Sequence, residues 1–148
     1  MPVGKQNQQR GFSLIEALIA LVVLSIGLIG VAAMQLKALQ SANAGYQRSV
    51  ASVAAVDAQE RLWANLASLE KGQNCKDINA FAVQSGWRED WFYGGDSTPL
   101  RNAIVAQSGI EPDSGNDKCQ FTVTLVLGED NNDKLDYIFS LPFLESSP

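Results

Sequence analysis

Apolar and polar positions change rhythm several times along this chain. Residues 1–10, MPVGKQNQQR, show no apolar periodicity and read as a leader outside any fold. Positions 17–34 then carry eighteen consecutive apolar or small residues without one charge. That is the lower bound for a helix that crosses a bilayer, and Phe12 to Glu16 extend it. A soluble amphipathic helix interrupts such a run with charge at every turn, so the segment reads as membrane-inserting. Past Met34 the helical pattern continues in amphipathic form. Leu36, Leu39, Ala42, Tyr46, Val50, Val53, Val56, Trp63, Leu66 and Leu69 recur at helical steps, which predicts one buried apolar stripe. Lys71 and Gly72 supply a stop. Residues 12–70 therefore read as a single helix on the order of 90 Å long at ~1.5 Å per residue.

The rest of the chain is more broken. DINAFAVQSG predicts a short helix opened by Asp77 and closed near Gly86, with Ile78, Phe81 and Ala82 on one side. STPLRNAIVAQSG predicts another, capped by Ser97 or Thr98, with Pro99 in its first turn and Leu100, Ala103 and Ile104 inward. EPDSGND reads as a loop. CQFTVTLVL alternates Cys119, Phe121, Val123, Leu125 and Leu127 against polar residues, and LDYIFSLPF alternates Leu135, Tyr137, Phe139 and Leu141. Joined by the turn GEDNNDK, these two runs predict an antiparallel hairpin. A lone hairpin is marginal in water, so its apolar face is expected on the Val50-to-Leu69 part of the long helix.

Charge follows the same division. The first eleven residues hold Lys5 and Arg10 and no acid, and removing those two cations from a chain of net charge −5 leaves −7 on the remainder. An acidic body excludes nucleic acid as the main partner, and a short basic leader fits a cytoplasmic N-terminus. Cys75 and Cys119 both follow the apolar run at a separation that suits neither a CxxC redox pair nor a zinc pair. They are either two unconnected thiols or, with the body outside the cytoplasm, one disulfide.

Candidate chemistry is sparse. The chain has no histidine, which removes Ser-His-Asp and Cys-His systems and histidine metal sites. Glu89 beside Asp90 reads as a solvated acid pair. Asp130, Asn132, Asp133 and Asp136 are hard oxygen donors, but their spacing does not match a twelve-residue EF-hand loop, and a turn is the simpler reading. No enzyme activity and no cofactor is expected. Trp87, Trp91, Phe92 and Tyr93 are either an exposed docking patch or the loop side of the core.

The leader ending in Gly11, then Phe12, Ser13, two aliphatics and Glu16 ahead of a long apolar run resembles the class III signal of type IV pilins and pseudopilins. The continuation GFSLIEALIALVVLSIGLIGVAAMQLKAL is similar to minor pilins of the PilV type, the pilus modification proteins. The likeness is specific over residues 10–36 and one of layout beyond. It implies an α+β, type IV pilin-like fold: a long N-terminal helix, half membrane and half amphipathic, packed on a small antiparallel sheet with a cysteine pair. It further implies a leader over 1–11, an assembly half of the helix over 12–35, an amphipathic half over 36–70 and a periplasmic part over 71–148.

The resemblance also implies roles. A prepilin peptidase would cut between Gly11 and Phe12 on the cytoplasmic face, and Phe12 would become the N-methylated new N-terminus. The cut precedes the apolar run, so the anchor is kept in the inner membrane, with the C-terminal domain periplasmic. Glu16 would offer its carboxylate to the amine of Phe12, its own or a neighbour's. Partners would be other minor pilins, the major pilin and a tip adhesin, in pilus assembly, adhesion and twitching motility at the cell surface. Major pilins usually carry a proline well along the apolar half, whereas this chain reads GLIGVAAMQ with Gly30 there, which favours a minor subunit. A type II secretion pseudopilin shares the same anchor, and a membrane-tethered binding module is the alternative outside the family.

Overall fold

A computed structural model describes residues 13–93, 98–101, 103–113, 119–128 and 133–143. Five principal elements follow in chain order: helix α1 (Leu14–Ala67), helix α2 (Ala80–Phe92), and strands β1 (Gly109–Pro112), β2 (Gln120–Val126) and β3 (Lys134–Ser140). The chain divides into two compact units, residues 1–42 and 43–148. Taken together the elements make an α+β fold, a long N-terminal apolar helix and a three-stranded antiparallel sheet of order β1-β2-β3.

The described part of the first unit is the opening length of α1. Its side chains are exposed throughout, including Leu18, Leu21, Leu24, Leu28 and Met34. Ser25 returns its hydroxyl to the Leu21 carbonyl at 2.7 Å, so even this polar group is satisfied within the helix. By length and composition α1 can cross a membrane, and none of its most apolar window is buried by the protein.

In the second unit, the remainder of α1 lies against the sheet. The face it buries is not the expected stripe. Gln47, Ala51, Ala54, Ala55, Ala58, Leu62 and Leu66 are buried, while Tyr46, Val53, Val56 and Trp63 are 43–62% exposed. The correction has a physical cause in α2. Trp87 is fully buried and donates its indole N–H to the Ala54 carbonyl at 2.8 Å. A large ring can reach a helix backbone only across small residues, so alanines form the contact face. Leu66 is the one residue of the expected stripe from Tyr46 onward that is buried; Val50 and Leu69 pack at its margin.

The helix also ends earlier than expected. The Ser68 hydroxyl bonds the Asn65 carbonyl at 2.7 Å, a local bond that competes with a further helical turn. Gly72 takes a positive φ of +95°, a turn conformation for which glycine is suited.

Asp77 does not open a helix. Its carboxylate accepts from the Asn74 N–H at 2.8 Å and Asn74 accepts from Lys76 N–H at 3.0 Å, a reciprocal capping box around the 3₁₀ turn Cys75–Asp77. Asn79 caps α2 instead, accepting from Ala82 N–H at 3.1 Å. The helix then runs through Gly86 to Phe92, because a single glycine costs only ~1 kcal/mol and Trp87 and Phe92 bury behind it. Ile78 is buried, but Phe81 is 76% exposed and Ala82 is exposed too; the inward face is Ala80, Val83, Trp87 and Trp91.

The helix expected from Pro99 onward is absent among the described residues, and Ser97 lies outside them. Thr98 and Leu100 are buried, but Ala103 bridges Leu127 and the Ile104 N–H bonds the Val126 carbonyl at 2.8 Å. This segment spends its backbone groups on the end of β2, leaving only a 3₁₀ turn at Val105–Gln107. Part of the expected EPDSGND loop is strand: Glu111 and Pro112 pair with Thr122 and Phe121. Pro112 is tolerated at the end of an edge strand, where its missing N–H is not needed.

The expected hairpin is β2 and β3, in register from Gln120↔Ser140 to Val126↔Lys134. Phe121, Val123 and Leu125 alternate inward and are buried, as is Phe139 from β3. Phe121 stacks on Phe139 with centroids 6.0 Å apart, a separation within the favourable range for aromatic pairs. Tyr137 donates its hydroxyl to Gln59 Oε1 of α1 at 2.6 Å, and Arg48 bonds Asp133 at 2.8 Å. Cys75 and Cys119 are joined as a disulfide with Cα atoms 5.7 Å apart. A closed loop of 44 residues contributes about 4 kcal/mol in the chain-entropy account.

Candidate processing and assembly site

Gly11 and Phe12 lie outside the described residues. Glu16 sits in the first turn of α1, exposed, where its backbone N–H bonds the Ser13 carbonyl at 2.9 Å. A carboxylate there meets the positive end of the helix dipole. Among the described residues Glu16 makes no ion pair. Its surroundings along α1 are aliphatic and exposed: Leu14, Ile15, Leu18 and Ile19. The site is thus a single acid at the start of an uncovered apolar helix, able to accept a hydrogen bond or a positive charge from outside the described chain.

Other candidate groups are engaged elsewhere. Asp130 and Asn132 lie outside the described residues; Asp133 pairs with Arg48, and Asp136 pairs with Lys134 at 3.0 Å and accepts from Thr124 at 2.8 Å. Burial pushes the Asp136 carboxyl up, but the bonds from Lys134 and Thr124 and the lysine charge outweigh it, leaving it below the usual carboxylate range. No cluster of three metal-ligating side chains occurs among the described residues. Asp90, expected as a solvated acid, bonds Arg61 at 2.6 Å. Arg61 also holds Asp57 at 2.8 Å, and Asp57 accepts the Trp91 indole N–H at 2.7 Å. Partial burial disfavours the Arg61 charge, yet Asp90 and Asp57 more than offset this and raise its pKa.

The four aromatics separate by depth. Trp87 and Phe92 are core, packed edge to face with centroids 5.4 Å apart; Trp91 is half-buried on Asp57, and Tyr93 is exposed. The apolar stripe on the second part of α1, expected to be buried, instead faces outward at Tyr46, Val53, Val56 and Trp63, and the alanine spacing of the opposite face was the signal for that orientation.

Residues 6–32 match the family model described as the prokaryotic N-terminal methylation motif. That stretch takes in Gly11, Phe12 and Glu16 and ends inside the apolar run. No curated protein and no solved structure matches the chain. The chain therefore carries a type IV pilin-like prepilin signal, which indicates a structural subunit of a pilin or pseudopilin-like assembly.

Proposed function

We propose that the protein is a minor type IV pilin, a structural subunit that primes pilus assembly or sits at the pilus tip with other minor pilins. The prepilin peptidase removes residues 1–11, and Phe12 becomes the methylated N-terminus. The helix remains anchored in the inner membrane with the 43–148 unit in the periplasm, where the Cys75–Cys119 disulfide is stable. The observation that carries this reading is Glu16, unpaired among the described residues, in the first turn of an apolar helix within the matched motif.

A carboxylate costs about 2.5–3.5 kcal/mol at the centre of a membrane helix and less toward its end. Pairing with the amine of Phe12, especially that of a neighbouring subunit, recovers part of this cost and adds direction. Docking is then favoured over remaining alone in lipid. The absence of proline from GLIGVAAMQ supports a minor over a major subunit.

The test is Glu16→Ala in the native cell, followed by immunoblotting of sheared pili and by mass measurement of the N-terminal peptide. The expected result is normal cleavage after Gly11 with incorporation into pili lost. Incorporation at the wild-type level overturns the amine-pairing mechanism. Intact pili with failed protein secretion on deletion of the chain would instead assign it to a type II secretion pseudopilus.

A further inference from the structure

We propose that the cavity between α2 and the polar face of the sheet binds a small zwitterion of the α-amino-acid type, with its carboxylate on Arg88 and its ammonium on Glu111. The inference concerns the second unit alone and goes beyond the assembly reading.

The cavity measures about 570 Å³ and is lined by Gln84 and Arg88 of α2, Gln107 of the turn before β1, and Glu111, Thr124 and Lys134 of the three strands. That volume falls within the ~300–1,000 Å³ range of small-molecule sites. Glu111, Thr124 and Lys134 alternate with the core-facing Ile110, Val123 and Leu135, so they stand on the opposite, polar face. The α2 side of the cavity is held in place. Arg88 donates from Nε at 3.2 Å and from one terminal nitrogen to the Ser108 carbonyl, and Gln84 Oε1 accepts the Ile110 N–H at 2.6 Å. These bonds fix the guanidinium and leave the fork between its terminal nitrogens without a partner among the described residues. They also occupy the edge of β1, so an added peptide strand finds the Ile110 N–H and the Ser108 carbonyl already taken.

Charge identifies the ligand. Lys134 is matched by Asp136 at 3.0 Å, which leaves Arg88 and Glu111 as the unmatched charges of the lining. Among the described residues neither forms an ion pair, with each other or with any other group. A cation and an acid that face one cavity without meeting are complementary to a molecule carrying both charges. A multiply charged anion would gain from Arg88 but be repelled by Glu111, and a neutral sugar would leave both charges unanswered. A nucleobase finds no aromatic side chain in the lining. The open guanidinium fork suits a carboxylate, and Glu111 can accept from an ammonium. The amides of Gln84 and Gln107 favour a polar ligand side chain over an aliphatic one.

Isothermal titration calorimetry of the detergent-solubilised full-length chain tests this with L-glutamine and with N-acetyl-L-glutamine, which lacks the ammonium. L-glutamine should bind saturably and the acetylated probe about tenfold more weakly, the factor that one charge-assisted hydrogen bond supplies. Glu111→Gln should weaken L-glutamine by about the same factor and leave N-acetyl-L-glutamine unchanged. Glu111 is exposed, so the variant should keep the wild-type near-ultraviolet circular dichroism. Absence of saturable L-glutamine binding overturns the proposal. Equal affinities for the two probes also overturn it, as does an equal loss of both in Glu111→Gln. L-leucine binding as tightly as L-glutamine overturns the assignment of a polar ligand.

Discussion

The indole of Trp87 and the carbonyl of Ala54 are joined by a 2.8 Å hydrogen bond, so α2 is fastened to the backbone of α1 as well as to its Asp57 and Arg61 side chains. The Ala54 carbonyl keeps its place in α1 because a carbonyl oxygen has two lone pairs. Trp87→Phe removes the donor and leaves a small void while keeping most of the ring. The expected loss is about 2 kcal/mol, from the bond and the incompletely filled volume together. Chemical denaturation of the detergent-solubilised chain, followed by near-ultraviolet circular dichroism, measures it.

The two faces of α1 should respond oppositely to substitution. Ala58 is fully buried in the core, and Ala58→Leu overpacks it, costing about 1–3 kcal/mol. Val53 is 59% exposed, and Val53→Ala should alter folding stability by no more than about 0.5 kcal/mol. Equal losses at the two positions in denaturation experiments would show that the outward stripe is part of the subunit's own core.

This contrast explains what the sequence left hidden. Strands β2 and β3 were legible because Phe121, Val123 and Leu125 alternate strictly, and a period of two has few other meanings. The long helix was legible for the same local reason. Its buried face was not, because alanine contributes little to an apolar count, and what selects Ala54 and Ala58 is a tryptophan far along the chain. β1 was hidden by its length and by Gly109 and Pro112, which read as turn residues until β2 lies beside them. At the candidate site, Glu16 was legible because its signal is a short contiguous motif.

Asp136 makes acid stability measurable on the hairpin. Its carboxyl titrates below the ordinary range, so the stabilisation it provides is present above its unfolded-state pKa of ~3.9 and is lost as the pH falls through the lower folded value. Wild type should therefore exceed Asp136→Asn at neutral pH, by less than about 1 kcal/mol for so exposed a pair. The two should converge under strongly acidic conditions. A difference that does not change from neutral to strongly acidic pH would trace the effect to the Thr124 hydrogen bond alone.

The outer edge of β1 is closed by α2 rather than by another strand, and Gly109 is the residue that permits it. Gln84 Oε1 accepts the Ile110 N–H at 2.6 Å, and Arg88 donates from Nε at 3.2 Å and from its terminal nitrogen to the Ser108 carbonyl. A Cβ at Gly109 would lie 2.6 Å from that same Gln84 oxygen and 3.3 Å from Arg88. Two effects then compete in Gly109→Ala. Alanine in a strand gains about 0.5–1 kcal/mol over glycine through reduced chain entropy, but displacing Gln84 leaves the Ile110 N–H without its partner, costing about 1–3 kcal/mol. The second is larger, so Gly109→Ala should destabilise by about 1 kcal/mol. The loss should shrink or reverse in a Gln84→Ala background, where the oxygen is gone and the entropic gain is opposed only by the 3.3 Å approach to the flexible end of Arg88. A double-mutant cycle by denaturant unfolding measures this coupling, and simple additivity would mean that the edge of β1 does not depend on Gln84.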